Sequence, residues 1–528
     1  MHHAEPVVLL LLFVAALVVL AHRWAVPYPV LLVIGGLVLS FFPWLPVIRL
    51  DPDLVLFFFL PPLLYPAALF TSWRDYRRNL RAILFLAIGL VLFTATVVAW
   101  VAHAIIPGLP WAAAFALGAI VSPPDAIAAE AILKRLGVPV RVQAVLSGES
   151  LVNDATALVA YQFAVAAMIT GQFSLGGAVL RFILIAVGGV VVGLVIALIA
   201  QAIHRRLDDP PVQITISLLT PFVAYLIADR LTASGVLAVV TAGVYLGWHS
   251  PSLSARFRLQ AVTFWEIVAF LLNAFVFVII GLELPEILGQ IGQESRLRLV
   301  VYGLLISGTV VLVRLAWVFP ATYLPRWLSA RFRRQNPPPP WQHTLIVGWA
   351  GMRGVVSLAA AFALPIALGN GQPFPGRSYI LFLTFCVILT TLVFQGLTLP
   401  LLIRWLGVED DGIIDREERD ARLRANEAAV DFVERKALEE HYPEEVMARV
   451  RAEYCDRIAQ LNACCQESGN PGGEVATPVY QRLQHGALQV ERQTIIALRN
   501  SQEINDEALR RIQRDLDLAE ARLTCSNP

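Results

Sequence analysis

The chain has 528 residues, of which 57% are hydrophobic and 15% charged, against about 25% charged in an ordinary soluble protein. Its formal net charge of +1 gives no case for nucleic-acid binding, which wants a basic face. Of the 40 acidic residues, 15 precede position 408 and 25 follow it, so the chain divides into an apolar body, 1–407, and a charged tail, 408–528.

The body begins with an apolar stretch from Pro6 to Ala21 that has no basic residue before it. A signal peptide needs a positive leading region and a small-residue cleavage site, so this stretch reads as a first membrane helix. Apolar runs then recur between polar breaks, each long enough to be a spanning candidate. The predicted spans are 6–22, 28–48, 53–70, 82–106, 110–133, 142–170, 178–203, 212–229, 233–248, 263–282, 299–324, 342–367 and 378–403. An odd count places the termini on opposite sides. With the N-terminus outside and the tail cytoplasmic, inside loops hold sixteen Lys and Arg residues and outside loops six. That contrast selects this orientation.

Inside these runs sit Asp125, Glu130, Glu149, Asp154, Glu266, Arg314 and Arg353. A charge at mid-membrane costs about 2.5–3.5 kcal/mol on insertion scales, so it persists only if paired, hydrated or used. The fifth span carries Ser122-Pro123-Pro124-Asp125. Two consecutive prolines remove two backbone donors and bar Pro123 from helical geometry, so the helix breaks there. Asp125 then lies in the first turn of the restarted helix, where the dipole favours a carboxylate. The sixth span returns through Gly148-Glu149-Ser150-Leu151-Val152-Asn153-Asp154. Ser150 and Asp154, four apart, share a helical face, with Asn153 beside it. Two carboxylates, a hydroxyl, an amide oxygen and freed carbonyls form a hard-oxygen set. It suits a small hard cation such as sodium and not zinc, which prefers nitrogen or sulfur.

In the tenth span Glu266 and Asn273, seven apart, share a face and are candidates to line the same cavity. Arg314, in the eleventh, needs an acid on a neighbouring helix. The twelfth span holds Gly348, Gly351, Arg353 and Gly354. Glycines spaced by three allow close helix packing, but Arg353 needs an anionic partner: Glu149 first, with Asp125 or the carbonyl end of a broken helix as competitors. If spans 2–6 and 9–13 form two five-helix units, the Pro-Pro-Asp and Gly-Arg spans are each fourth in their unit and run in opposite directions. Interrupted helices at matching places of inverted repeats point to a transporter site at the midplane. An intramembrane enzyme is disfavoured, because no GxSxG elbow and no mid-span base is present. A cation channel is the better rival, although channels line a pore with rings of carbonyls or charges.

The tail reads as two helical stretches, about 413–465 and 477–524, separated by a linker at 466–473. Its alternating charges fit solvated helices that dock on one another or on a dimer mate. Four of the five cysteines lie there without CxxC spacing, as expected of reduced thiols, with redox sensing by Cys464 and Cys465 as the alternative.

At Ser122-Pro123-Pro124-Asp125 and at Gly148-Glu149-Ser150-Leu151-Val152-Asn153-Asp154, with the two aspartates 29 residues apart, the sequence resembles the bacterial sodium/hydrogen exchangers. These form one branch of the monovalent cation/proton antiporters. Gly351-Met352-Arg353-Gly354-Val355-Val356-Ser357 is similar to that family's arginine motif. The resemblance implies an all-α polytopic fold with about thirteen spans, two inverted five-helix repeats with crossing broken helices, and a cytoplasmic helical tail. It implies a homodimer in the bacterial inner membrane, with lipid and monovalent cations as partners and no cofactor beyond the transported ions. Asp154 would alternately hold the cation and the proton, with Na+ bound by Asp154, Asp125 and Ser150 and the Pro124 carbonyl and Asn153 beside them. Asn153 stands where electrogenic relatives carry a second aspartate, so exchange would be electroneutral. Glu149 and Arg353 would form a buried pair. The order Pro123-Pro124-Asp125-Ala126 departs from the family pattern and removes a threonine ligand. A K+/H+ exchanger of the same architecture is the alternative.

Overall fold

A computed structural model describes residues 4–24, 28–41, 52–170, 175–207, 209–250, 255–291, 295–328, 337–368, 371–410, 412–439 and 444–467, with single positions elsewhere. Contacts divide the chain into two units, Met1–Asp411 and Gly412–Pro528.

In hydrocarbon no water satisfies the backbone, so a spanning segment must bond its own amides, and helices result. Among the described residues the first unit is helical throughout, apart from one isolated bridge between Ala367 and Pro373. We number the helices in chain order. The first three are α1 (Ala4–Trp24), α2 (Tyr28–Leu39) and α3 (Pro52–Leu69). A long α4 (Trp73–Ile105) contains a π-helical turn at Phe85–Leu90. The short pair α5 (Trp111–Val121) and α6 (Ala126–Arg135) is followed by α7 (Val140–Thr170), α8 (Leu175–His204), α9 (Pro210–Arg230) and α10 (Gly235–Trp248). Next come α11 (Ala255–Gln290), α12 (Arg296–Leu328) and a second short pair, α13 (Trp341–Trp349) and α14 (Val355–Phe362). The last, α15 (Arg377–Trp405), carries a π turn at Thr391–Gln395.

Each predicted span falls on one helix or on one of the two broken pairs. Among the described residues seven helices are long and apolar enough to cross a membrane by length and composition. The other apolar helices are shorter, so these two criteria alone do not yield a count of thirteen crossings.

Packing follows the two five-helix units. Helix α2 runs against α11, and α3 against α10, so the first helix of each unit packs on the second of the other. Glycines permit these contacts. A Cβ added at Gly36 would strike the Val278 carbonyl, and one at Gly281 the Val33 carbonyl. On the other side Gly243 and Gly247 leave no room against Ala68 and Leu69. Within each unit the third helix packs on the fifth, as α4 on α7 and α12 on α15. Each broken pair also meets the fifth helix of the opposite unit, α5 on α15 and α13 on α7. This reciprocal exchange of neighbours is what a two-fold axis in the membrane plane, relating inverted repeats, produces.

In the second unit α16 (Ile413–Glu439) packs against α17 (Glu444–Glu467). Arg451 pairs with Glu434 across them at 3.0 Å, an exposed bridge that contributes little on its own. The predicted stretch 413–465 is therefore two helices that dock on one another. Nearly all of the stretch predicted at 477–524, and the side chains of Cys464 and Cys465, lie outside the described residues.

Candidate functional site

Helix α5 ends at Val121 and α6 begins at Ala126, so Ser122 to Asp125 form the break that the paired prolines dictate. Asp125 occupies the residue just before α6 rather than its first turn. The second break runs from Ala350 to Gly354, between α13 and α14. The two breaks cross and bond to each other. The Asp125 amide donates to the Met352 carbonyl at 2.7 Å, and Arg353 Nε donates to the Val121 carbonyl at 2.7 Å. The Arg353 amide donates to Thr391 Oγ1 at 3.0 Å, beside the π turn of α15.

A crossing of broken helices brings together four unsatisfied helix ends. The two carbonyl ends, partially negative, each receive a buried guanidinium. Arg353 serves the end of α5. Arg314 serves the end of α13 by donating to the Val347 carbonyl, from Nη2 at 3.0 Å and Nε at 3.3 Å. The two amino ends, partially positive, share Asp125. It directly precedes α6, and its carboxylate fills the space that a Cβ at Gly354, just before α14, would need. Helix N-termini favour an anion at such a place.

The buried pair expected between Glu149 and Arg353 is corrected here. Glu149 is bound by Arg314 in a bidentate fork, Nη1 to Oε1 at 2.5 Å and Nη2 to Oε2 at 2.8 Å. Among the described residues the Arg353 side chain donates to backbone carbonyls, those of Val121 and Gly351. The geometry explains the choice: α12 brings a planar fork to Glu149, while Arg353 sits inside the break and reaches the nearest carbonyl end. Of the glycines in the Gly-Arg segment, Gly348 packs closely on Leu315 of α12, as expected of helix packing, but the other two serve side chains. Gly351 makes room for the Arg314 side chain and Gly354 for Asp125.

Asp125, Ser150, Asp154 and Asn273 line one cavity of about 30 Å³, walled by Leu63, Leu64, Val355 and other apolar side chains. A water needs about 10–15 Å³ of such space, so the cavity has room for one small cation. Asp154 is buried and Asp125 half-buried, and both carboxylates line the one small cavity. Either a cation or a proton relieves such a pair.

Asn153 and Pro124, both expected at the cation, bond to each other, and the buried Asn153 Oδ1 has no partner among the described residues. Asn153 is fully buried and its Nδ2 donates to the Pro124 carbonyl at 3.0 Å. This bond ties α7 to the first break, and neither residue lines the cavity. Glu266 shares a stripe with Asn273 but is exposed. Two helical turns are about 11 Å, which is farther than so small a cavity extends. Glu130, held by Ser147 Oγ and by Lys134 at 3.7 Å, lies midway along α6 and does not line the cavity. Arg314 and Thr391 are the site-building residues that sequence reasoning did not assign. A mid-span position marked Arg314, but nothing in the pattern chose between two arginines for one glutamate.

Comparison with known proteins bears on the family and the fold. A family described as sodium/hydrogen exchanger, transmembrane, matches residues 8–405. An uncharacterised Na(+)/H(+) exchanger of Mycobacterium tuberculosis is 37% identical over 524 residues, 98% of this chain and 96% of that protein. A sodium, potassium, lithium and rubidium/H(+) antiporter of Bacillus subtilis is 38% identical over 413 residues, 75% of this chain and 61% of that one. The structure of the sodium proton antiporter MjNhaP1 from Methanocaldococcus jannaschii shares the fold, with a TM-score of 0.60 at 20% identity. The match covers 77% of this chain and 99% of that one. The relatives named are exchangers and antiporters, and they lend no support to the channel alternative. With its crossing broken helices and a family match across nearly all of the apolar body, this chain belongs to the sodium/hydrogen exchanger family, as a multi-pass membrane antiporter and not an enzyme.

Proposed function

We propose that this exchanger carries Na+ and H+ alternately on Asp154, one for one and without net charge movement. The observation that supports this reading is the small cavity shared by Asp154, Asp125, Ser150 and Asn273 at the crossing of the broken helices. A lone buried carboxylate cannot cheaply stay charged. Occupied by Na+ or by a proton, Asp154 is neutralised and its domain moves across. Empty, it is held, so exchange is obligatory. Asp125 fixes the cation's second oxygen and Ser150 a third, while Asn153 and Pro124 hold the break in shape. No cofactor beyond the transported ions enters this cycle.

The reading places the protein as a homodimer in a bacterial inner membrane, N-terminus outside and tail cytoplasmic, where it would serve pH and sodium homeostasis. The charge asymmetry of the loops supports the orientation. Sodium is the proposed cargo, with Li+ and K+ as the ions to compare, since the name of the Bacillus subtilis relative includes both. The test is dequenching of a proton-sensitive dye in vesicles containing the purified protein, on addition of each cation in turn. Na+ should give the largest response and Asp154→Asn should give none. Exchange that persists in that variant overturns the assignment.

A further inference from the structure

Five arginines and a histidine converge on a second cavity, of about 470 Å³. Arg77, Arg78 and Arg81 come from the early turns of α4, Arg141 from the start of α7, Arg326 from the last turn of α12 and His343 from the start of α13. All four helix ends lie on the side that the loop charges assign to the cytoplasm. Among the described residues no aspartate or glutamate lines the cavity. Burial first, and then the charge of Arg78, holds the Arg141 guanidinium below its usual range, and burial and then Arg141 lower Arg326 in the same way.

The inside bias of basic residues accounts for arginines in these loops. It does not account for their convergence from four helices on one concavity with no acid among them. Like charges gathered around one cavity destabilise each other, and a bound anion would offset that repulsion. Guanidinium forks match the oxygens of a phosphate, two bonds at a time. The half-buried Thr322 and the buried Thr344, whose hydroxyl is 3.3 Å from that of Tyr323, also line the wall. The volume falls in the range of about 300–1,000 Å³ typical of small-molecule sites. One wall is apolar, with Leu86 and Val145, and at Phe85 it meets a side chain that is 50% exposed on the outer face of α4.

We propose that this cavity binds a phosphate-bearing anion, independently of the ion site. Two sources carry that group: the headgroup of an acidic phospholipid, whose chains would lie along the apolar wall, and a soluble phosphate compound. Basic pockets between membrane helices on the cytoplasmic side are suited to acidic headgroups.

The experiment is native mass spectrometry of the purified full-length protein in detergent, titrated in separate arms with phosphatidylglycerol, phosphatidylcholine, inorganic phosphate and ATP. The wild-type protein should retain phosphatidylglycerol but not phosphatidylcholine. The variant Arg78→Gln/Arg141→Gln, altered at exposed side chains, should lose at least about tenfold in retention, or about 1.4 kcal/mol. A control with the same charge loss at exposed positions beyond α8, Arg205→Gln/Arg206→Gln, should retain the lipid. Ala321→Trp, which fills the cavity without changing charge, should also lose it. Retention of phosphate or ATP in place of the lipid, with the same variant pattern, assigns the soluble source. The proposal is overturned if no anion is retained, or if the control loses as much as the cavity variants.

Discussion

At the scale of single residues, the site is decided by where two buried guanidiniums go. Arg314 takes both oxygens of Glu149 and a carbonyl at the end of α13, and Arg353 takes the carbonyl end of α5. Removing one partner of a buried ion pair leaves the other uncompensated, at a cost of about 3–5 kcal/mol. Arg314→Met should therefore lower the thermal unfolding temperature in detergent markedly, and adding Glu149→Leu should recover much of the loss. A double-mutant cycle on Glu149 and Arg314 should show strong coupling, and one on Glu149 and Arg353 far less. Equal coupling in both cycles would contradict the assignment. The sequence made the charges conspicuous because each is costly in lipid. It could not pair them, since a choice among Glu149, Asp125 and a helix end depends on approach geometry that spacing does not encode. Asn153 shows the same limit: beside Asp154 in the chain it reads as a ligand, and spacing gave no sign that its amide nitrogen would bond the Pro124 carbonyl.

Among the elements, the broken pairs α5/α6 and α13/α14 do the organising. Two prolines predicted the first break in the sequence, because the missing donors leave no alternative. The second has no proline, only Gly351 and Gly354, and glycine alone fits either a packed helix or a broken one. The structure shows that these glycines accommodate charged side chains. A methyl group at Gly354 would displace the Asp125 carboxylate from between the two helix N-termini. The clash reaches the Asp125 Cβ as well as its carboxylate, so a melting curve of Gly354→Ala in detergent should accompany the transport assay. The variant's apparent affinity for Na+ in vesicle exchange should fall about tenfold, or about 1.4 kcal/mol. An unchanged concentration dependence would place Asp125 outside the cation's coordination.

For the whole molecule, the reciprocal packing of α2 on α11 and α3 on α10 was anticipated only as an order of spans, since no repeat is visible in the residues themselves. Hydropathy located the helices well because lipid enforces internal hydrogen bonding. It said nothing of which helices touch, and the glycines at Gly36 and Gly281 acquire meaning only once their neighbours are known. A two-fold arrangement with the carboxylates at its centre supports alternating access by one domain moving against the other. If Asp154 alone titrates and Asn153 stays neutral, an imposed membrane potential should leave the exchange rate unchanged. A strong voltage dependence would point to Asp125 or Glu149 as a second proton carrier. The central claim is competition of Na+ and H+ for one carboxylate, and linkage makes it directly measurable. Na+ should be titrated into the purified protein in weakly buffered detergent solution while released protons are counted. About one proton should leave for each Na+ bound, with neither binding nor release in Asp154→Asn. Sodium binding without proton release, or undiminished release from the variant, would contradict the account.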